Sequence, residues 1–298
     1  MMIQTYGLRK AYGRHDALRG LSLSVPEGAA LALIGANGAG KTTAIKVMMN
    51  ALAPSAGTAT ILGVDSRRLS PREFAQIGYV SENQNLPARL TVTQFLSHLR
   101  PLYPTWDTTL ESSLLVQLRL PRDRKISDLS HGMQMKMKLV CALAFRPKLL
   151  VLDEPFSGLD PLVRDEFMER LLDQAGAMTV LISTHELADV EDVATHVAFL
   201  ETGQLLFQES MAELTGRMRR VQLVMNQEAQ APLDIPPSWL QVRAIGNVLS
   251  FVETRFSREA LDARIAAICP RLRNIEVQPI SLRSIFTVLA RQAQHKAS

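Results

Sequence analysis

The sequence predicts an α/β domain with a parallel-sheet core, followed by a smaller α+β appendage. Three observations predict it. A glycine-rich turn, GANGAGKT, lies between the apolar stretch ALALI and a helical segment; two continuous apolar runs, LLVLDEP and MTVLISTH, flank a helical span; and the residue grammar changes after Gly216. Continuous apolar runs ending in polar residues are the pattern of strands buried on both faces, and strand-helix-strand alternation builds a parallel sheet. At 298 residues the chain exceeds one average domain, which fits a main domain over 1–216 and an extension over 217–298.

Along the chain, residues 1 to 34 alternate short apolar stretches with turn residues (LRKAYG, ALRGLSLSVPEG, ALALIG), the pattern of strands and hairpins leading into a buried strand, Ala30 to Ile34. A helix follows the glycine-rich turn. From about 87 to 148 the pattern is helical, with TVTQFLSHL and TLESSLLVQL as amphipathic segments and prolines as breaks, so a helical subdomain is expected there. LLVLDEP then gives a buried strand, Pro161 to Ala175 a helix, MTVLISTH a second buried strand, and AFLETGQLLFQES a hairpin. Beyond Gly216, RRVQLVMN, WLQVRAIG, NVLSFVET and LRNIEVQPI read as strands and REALDARIAAI and SLRSIFTVLARQA as helices, with Leu282, Ile285, Phe286 and Leu289 on one helical face.

Composition excludes several classes. With 47% hydrophobic and 21% charged residues the chain is globular, neither disordered nor fibrous. Two cysteines, Cys141 and Cys269, make neither a disulfide framework nor a metal spacing. No apolar run approaches the ~18 residues of a membrane span, so membrane work would pass through a partner. The net charge of +4 is uneven: residues 217–298 hold 12 Lys and Arg against 6 Asp and Glu. Those arginines are scattered, which suits a solvated surface better than a nucleic-acid or lipid patch.

The chemistry starts at Gly35-Ala36-Asn37-Gly38-Ala39-Gly40-Lys41-Thr42, which fits G-x-x-x-x-G-K-[ST] between a strand and a helix. Glycines let successive backbone N–H groups converge on phosphate oxygens at a helix N-terminus. Lys41 adds a cation for the β- and γ-phosphates, and the Thr42 hydroxyl can ligate Mg²⁺. The motif predicts a nucleoside triphosphate as ligand. Asp153, ending an apolar strand, is placed to hold Mg²⁺, and Glu154 beside it to polarise the attacking water. A strand this apolar would bury both acids without compensation unless a cation or polar cleft awaited them. His185 ends the next strand, within reach of the γ-phosphate.

Together these residues resemble the ATP-binding cassette (ABC) family of ATPases, over roughly positions 3 to 215. Leu129-Ser130-His131-Gly132-Met133 is similar in position and shape to that family's signature, Leu-Ser-Gly-Gly-Gln, and lies 23 residues before Asp153 when counted from Ser130. The resemblance implies a P-loop NTPase core with an N-terminal antiparallel β subdomain and a helical subdomain. It implies that ATP and Mg²⁺ are bound by Gly35, Asn37, Gly38, Ala39, Gly40, Lys41, Thr42 and Thr43, with Tyr12 stacking on adenine. Asp153, Thr42 and Glu82 would attend the metal. Glu154 and His185 would be catalytic, His185 as the switch histidine. Ser130, His131, Gly132 and Met133 would cap the nucleotide of a partner subunit, and Ser157, Gly158 and Asp160 would form the dimer-contact loop.

The sequence departs from the family pattern at His131 and Met133, in place of glycine and glutamine, and at Glu82, in place of the glutamine after the IGYV strand. An acid at position 82 can still bind Mg²⁺ or its water. The resemblance implies a head-to-tail homodimer, or a dimer with a related ATPase subunit, seated on integral membrane permease subunits at the cytoplasmic face. The branch that powers bacterial type-2 exporters is the most similar one. Asn83 to Thr91 is the expected dock for the permease, and no nucleic acid is expected. Family members that act on the ribosome or on DNA form the rival reading. They carry paired cassettes, long coiled coils or zinc inserts that this sequence lacks. A monomeric P-loop kinase would leave the signature unexplained.

Overall fold

The computed structural model describes residues 1–173, 178–186, 189–229, 235–268, 272–282 and 284–289. Cys269 lies outside them. The chain forms two compact units, Met1–Gln208 and Glu209–Ser298.

The first unit opens with β1 (Ile3–Tyr12), β2 (His15–Leu21), β3 (Ser24–Val25) and β4 (Ala30–Ile34), then α1 (Lys41–Met48). Next come β5 (Ala56–Ile61), β6 (Val64–Asp65), α2 (Pro71–Phe74) and β7 (Ile77–Ser81). The helical subdomain follows with α3 (Val92–Leu99), α4 (Thr108–Gln117) and α5 (His131–Leu143). The chain closes through β8 (Leu149–Asp153), α6 (Pro161–Asp173), β9 (Thr179–Thr184), β10 (His196–Glu201) and β11 (Gln204–Ser210).

Two sheets divide these strands. β2-β1-β5-β6, with β3 beside β1, is an antiparallel layer. The other runs β11-β10-β4-β9-β8-β7, and its pairings from β10 to β7 are all parallel. Every residue of β4, β8 and β9 is buried, which is why these strands read as unbroken apolar runs and not as alternation. β10 turns into β11 through Thr202 and Gly203, both at positive φ, the backbone that a two-residue hairpin turn requires. The parallel register puts Ser81 opposite Asp153, Asp153 opposite Ser183, and Ile34 opposite Thr184. Four strand ends therefore share one edge, the edge where ligands bind in open α/β sheets.

Helix starts follow their caps. Thr91 and Gln94 make a reciprocal capping box at α3, and Asp107 accepts from the amides of Thr109 and Leu110 at α4. Side-chain contacts then fix the subdomain: buried Glu111 is held by Arg100 at 2.7–2.8 Å and by the Trp106 indole at 2.8 Å, and Tyr103 stacks on Phe145 with centroids 4.1 Å apart.

α1 buries Ala44, Ile45, Val47 and Met48 almost completely. Burial of the three larger side chains stabilises by roughly 1.5–3 kcal/mol each.

The second unit holds α7 (Met211–Arg217), β12 (Arg219–Met225), β13 (Trp239–Ile245), β14 (Val248–Glu253), α8 (Arg258–Ile268) and β15 (Leu272–Pro279). Its antiparallel sheet runs β13-β14-β12-β15. Val221, Leu223, Trp239, Leu249, Phe251, Leu261 and Ile265 form its core, with Trp239 stacked on Phe251 at 3.8 Å. The buried carboxylate of Glu253 accepts from the Trp239 indole and Ser238 Oγ, so it meets partners and not bare hydrocarbon. By packing, this unit begins ahead of Gly216. The residue pattern predicts no helix at 211–217, yet one forms there; Arg217 pairs bidentately with Glu209, and its carbonyl accepts from the amide of Phe256.

Candidate active site

The glycine-rich turn joins the end of β4 to α1. Gly40, the residue before α1, has φ 105°, and a Cβ there would stand 2.6 Å from the carbonyl of Ala17. At Gly35 a Cβ would stand 2.3 Å from the carbonyl of Leu200. No side chain fits at either position without moving backbone, so the turn can wrap a phosphate only with glycine there. Asn37 and Gly38 are exposed at its crest, Ala39 is buried, and Thr43 is half-buried on α1.

Lys41 is buried, and its ammonium faces inward. Nζ donates to the carbonyls of Gly35 at 2.6 Å and Ala36 at 3.2 Å, and pairs with Glu154 Oε1 at 2.9 Å. The other oxygen, Glu154 Oε2, lies 2.9 Å from His185 Nδ1. A carboxylate can only accept, so Nδ1 carries the proton in this pair. Lys41, Glu154 and His185 thus form one line from the phosphate turn to the end of β9.

Asp153 sits one layer deeper. Its Oδ1 accepts from Thr42 Oγ1 at 3.0 Å and from Ser183 Oγ at 2.8 Å, while Ser183 Oγ accepts in turn from the amide of Glu154 at 3.0 Å. Burial pushes the Asp153 carboxyl above its usual range, against the lowering effect of the Ser183 and Thr42 hydroxyls. The sign of the consequence is fixed. An acid whose folded pKa is raised is destabilising when ionised, and that penalty fades as pH falls toward its unfolded value. Asp153→Asn keeps an oxygen acceptor and removes the charge. Without nucleotide or metal it is expected to melt higher near pH 7, by about 2–4 °C if the change is near 1 kcal/mol, with the gain shrinking towards pH 4. An unchanged or lower midpoint at pH 7 in a calorimetric pH series would refute this account.

Ser183 is the site residue that sequence reasoning missed. A hydroxyl inside a strand that otherwise reads VLI was the available signal, because a polar group buried there needs a partner.

For a divalent cation, Thr42 Oγ1 and Asp153 Oδ1 offer adjacent hard oxygens. Among the described residues no group of three His, Cys, Asp or Glu could hold a metal ion by itself. That combination suits Mg²⁺, which binds through one or two carboxylates and takes its remaining ligands from substrate phosphates and water. Glu82 follows β7 directly, its amide donating to the carbonyl of Asp153 at 3.4 Å.

The other residues singled out by the sequence belong to the same unit. Ser130 is the N-cap of α5 and accepts from the amide of Met133 at 3.3 Å, leaving its hydroxyl proton free to donate. Gly132 is hemmed in, since a Cβ there would meet Val163 at 3.3 Å. His131 Nε2 donates to the carbonyl of Ser157 at 3.2 Å, and Asp160 Oδ1 accepts from the amide of Val163 at 3.0 Å. The signature segment and the 157–160 loop are therefore neighbours within one chain. Tyr12 is half exposed, with the Lys10 ammonium 5.3 Å from its ring centre.

A cavity of about 410 Å³ opens between α1, β7 and the helical subdomain, lined among others by Phe74, Tyr79, Gln84, Phe95, Leu99 and Tyr103. Half-buried Cys141 also lines it; burial pushes that thiol up to about 12, so it stays protonated.

Residues 18–157 match the family described as ABC transporter. The bacitracin transport ATP-binding protein BcrA of Enterococcus faecalis is 32% identical over 224 residues, covering 74% of this chain and 72% of that protein. The lantibiotic transport ATP-binding protein SrtF of Streptococcus pyogenes is 30% identical over 210 residues, covering 70% of this chain and 90% of that one. A solved ATP-binding subunit of an ABC transporter superposes with a TM-score of 0.66 at 29% identity, covering 72% of this chain and 92% of its own.

Proposed function

The chain belongs to the ABC transporter family, and from that membership we propose that it powers an exporter as one of two ATPase subunits seated on membrane partners. It is an ATP-binding and ATP-hydrolysing subunit. In this reading residues 1–216 are the nucleotide-binding domain and 217–298 an extension without chemistry of its own. The observation that carries the mechanism is the Lys41–Glu154–His185 line lying against Asp153 and Thr42.

Lys41 is held by three partners, so an arriving γ-phosphate competes with each of them for the ammonium. Two are backbone carbonyls of the turn itself; the third is the Glu154 carboxylate, the one side chain able to swing away. Binding of ATP at Lys41 thereby releases Glu154 to accept a proton from the attacking water, and His185 Nδ1–H keeps that carboxylate oriented. Thr42, Asp153 and Glu82 would hold Mg²⁺, which when bound neutralises charge on the β- and γ-phosphate oxygens. Tyr12 offers an exposed ring for the base.

Ser130 and the amides that open α5 suit a γ-phosphate, because a helix N-terminus presents free N–H groups and a positive dipole end. Membership of the ABC transporter family supports capping in trans, within a head-to-tail dimer. No helix among the described residues is long and apolar enough to cross a membrane. The aromatic-lined cavity beside Asn83 to Thr91 is a suitable receptor for it.

The test is a pull-down with tagged Glu154→Gln protein in ATP from detergent-solubilised native membranes. A polytopic membrane protein in stoichiometric amount is expected; ribosomal or DNA-bound partners without one would favour the soluble ABC ATPase reading. In the same experiment Phe95→Asp, which puts a charge into the cavity, is expected to bind ATP normally and to lose the membrane protein. Retention of that protein would move the docking surface elsewhere.

A further inference from the structure

Lys138 is a buried cation that the mechanism above does not use. It lies on α5, the signature helix, at 4% exposure. Its ammonium donates to the carbonyls of Ser81 and Glu82, both at 2.9 Å, and contacts Met135 Sδ at 3.6 Å. Burial lowers its pKa, offset by the charge of Glu82. Taking an ammonium out of water costs several kcal/mol before its partners repay any of it. An apolar side chain would fill this place, beside Tyr79 and Phe145 of the cavity lining, without that cost. Stability alone is thus a poor reason for a lysine here.

Its position supplies another. Ser81 pairs in parallel register with Asp153, and the Glu82 amide donates to the Asp153 carbonyl. The Ser81–Glu82 stretch is therefore gripped on both sides, through the Glu82 amide by the strand that carries Asp153 and through the Ser81 and Glu82 carbonyls by Lys138. We propose that Lys138 is a positioning residue that bolts the signature helix to the end of β7 and so sets where Glu82 stands for the divalent cation. The inference rests on the reading of Glu82 as part of the metal site. Residues that orient metal ligands typically change metal affinity 10–100-fold when removed.

The experiment titrates Mn²⁺ into the full-length protein with the β,γ-imido analogue of ATP, following free Mn²⁺ by its paramagnetic resonance signal. Analogue affinity is measured separately in EDTA. Lys138→Met should weaken Mn²⁺ about 10-fold while analogue affinity in EDTA holds within about twofold, a split that loss of packing alone would not produce. Lys138→Gln, which retains one donor and serves if the methionine variant does not fold, should give a smaller shift in the same direction. Glu82→Ala should also weaken Mn²⁺, and Lys138→Met/Glu82→Ala should be no weaker than Glu82→Ala alone, because coupled sites are non-additive. If Glu82→Ala weakens Mn²⁺ and neither Lys138 variant does, the role of Lys138 is overturned and that of Glu82 stands. If Glu82→Ala has no effect, or the two losses add, Lys138 does not act through Glu82 and the proposal fails.

Discussion

Glu154→Gln is expected to bind ATP with near-native affinity and to lose at least about 100-fold in turnover, the lower end of what a positioned general base contributes. The phosphate cradle is built from the 35–43 turn and Lys41, and the substitution touches it at one point, the 2.9 Å pair with Lys41. A glutamine oxygen can still face Nζ, so binding survives. What disappears is the ability to take a proton, which neither Asp153, already held by two hydroxyls, nor His185, whose Nδ1 carries its proton toward position 154, can replace from where it stands. Phosphate release and fluorescent-nucleotide binding, measured on one preparation, check both halves. Turnover above a tenth of the native rate would remove Glu154 from the chemical step.

The second large effect concerns composite sites. Lys41→Ala removes the cation that three groups now hold, and Ser130→Arg puts bulk and a positive charge on the N-cap of α5. Each variant alone should fail to dimerise in ATP. Mixed in equal amounts, only mixed pairs can dimerise, and in a head-to-tail arrangement each of those has one intact site of its two. Light scattering in ATP should then show dimers that neither parent forms. Monomers at every mixing ratio would mean that Ser130 does not cap a partner's nucleotide.

Much of this site was legible because its parts are short-range. Gly35 to Thr42 is one continuous stretch, and an apolar strand that ends in Asp153-Glu154 announces a polar cleft at that end of the sheet. Both depend on neighbours in the chain. Ser183 and Lys138 depend on register and helix packing instead. Ser183 reaches Asp153 only because β8 and β9 pair in parallel with those two residues opposite, and Lys138 reaches the end of β7 across more than fifty residues of intervening chain. The short α7 helix was missed for a related reason. Ser210 and Glu213 do form a capping box, but the segment carries one fully buried side chain, Leu214, and so displays no apolar stripe to read. Strand order, likewise, is set by where helices must cross the sheet and not by any single residue.

Glu154 itself carries a final consequence. Its backbone sits at φ 50°, in the left-handed region that costs an ordinary side chain roughly 1–2 kcal/mol per residue. The residue placed to activate water is thus also the one whose main chain would relax if it became glycine. Glycine there would also strip buried Lys41 of its carboxylate, and breaking a buried pair costs about 3–5 kcal/mol, more than the relaxed backbone returns. The strain at position 154 is therefore held in place by the charge it carries, and selection for heat resistance alone should keep the general base.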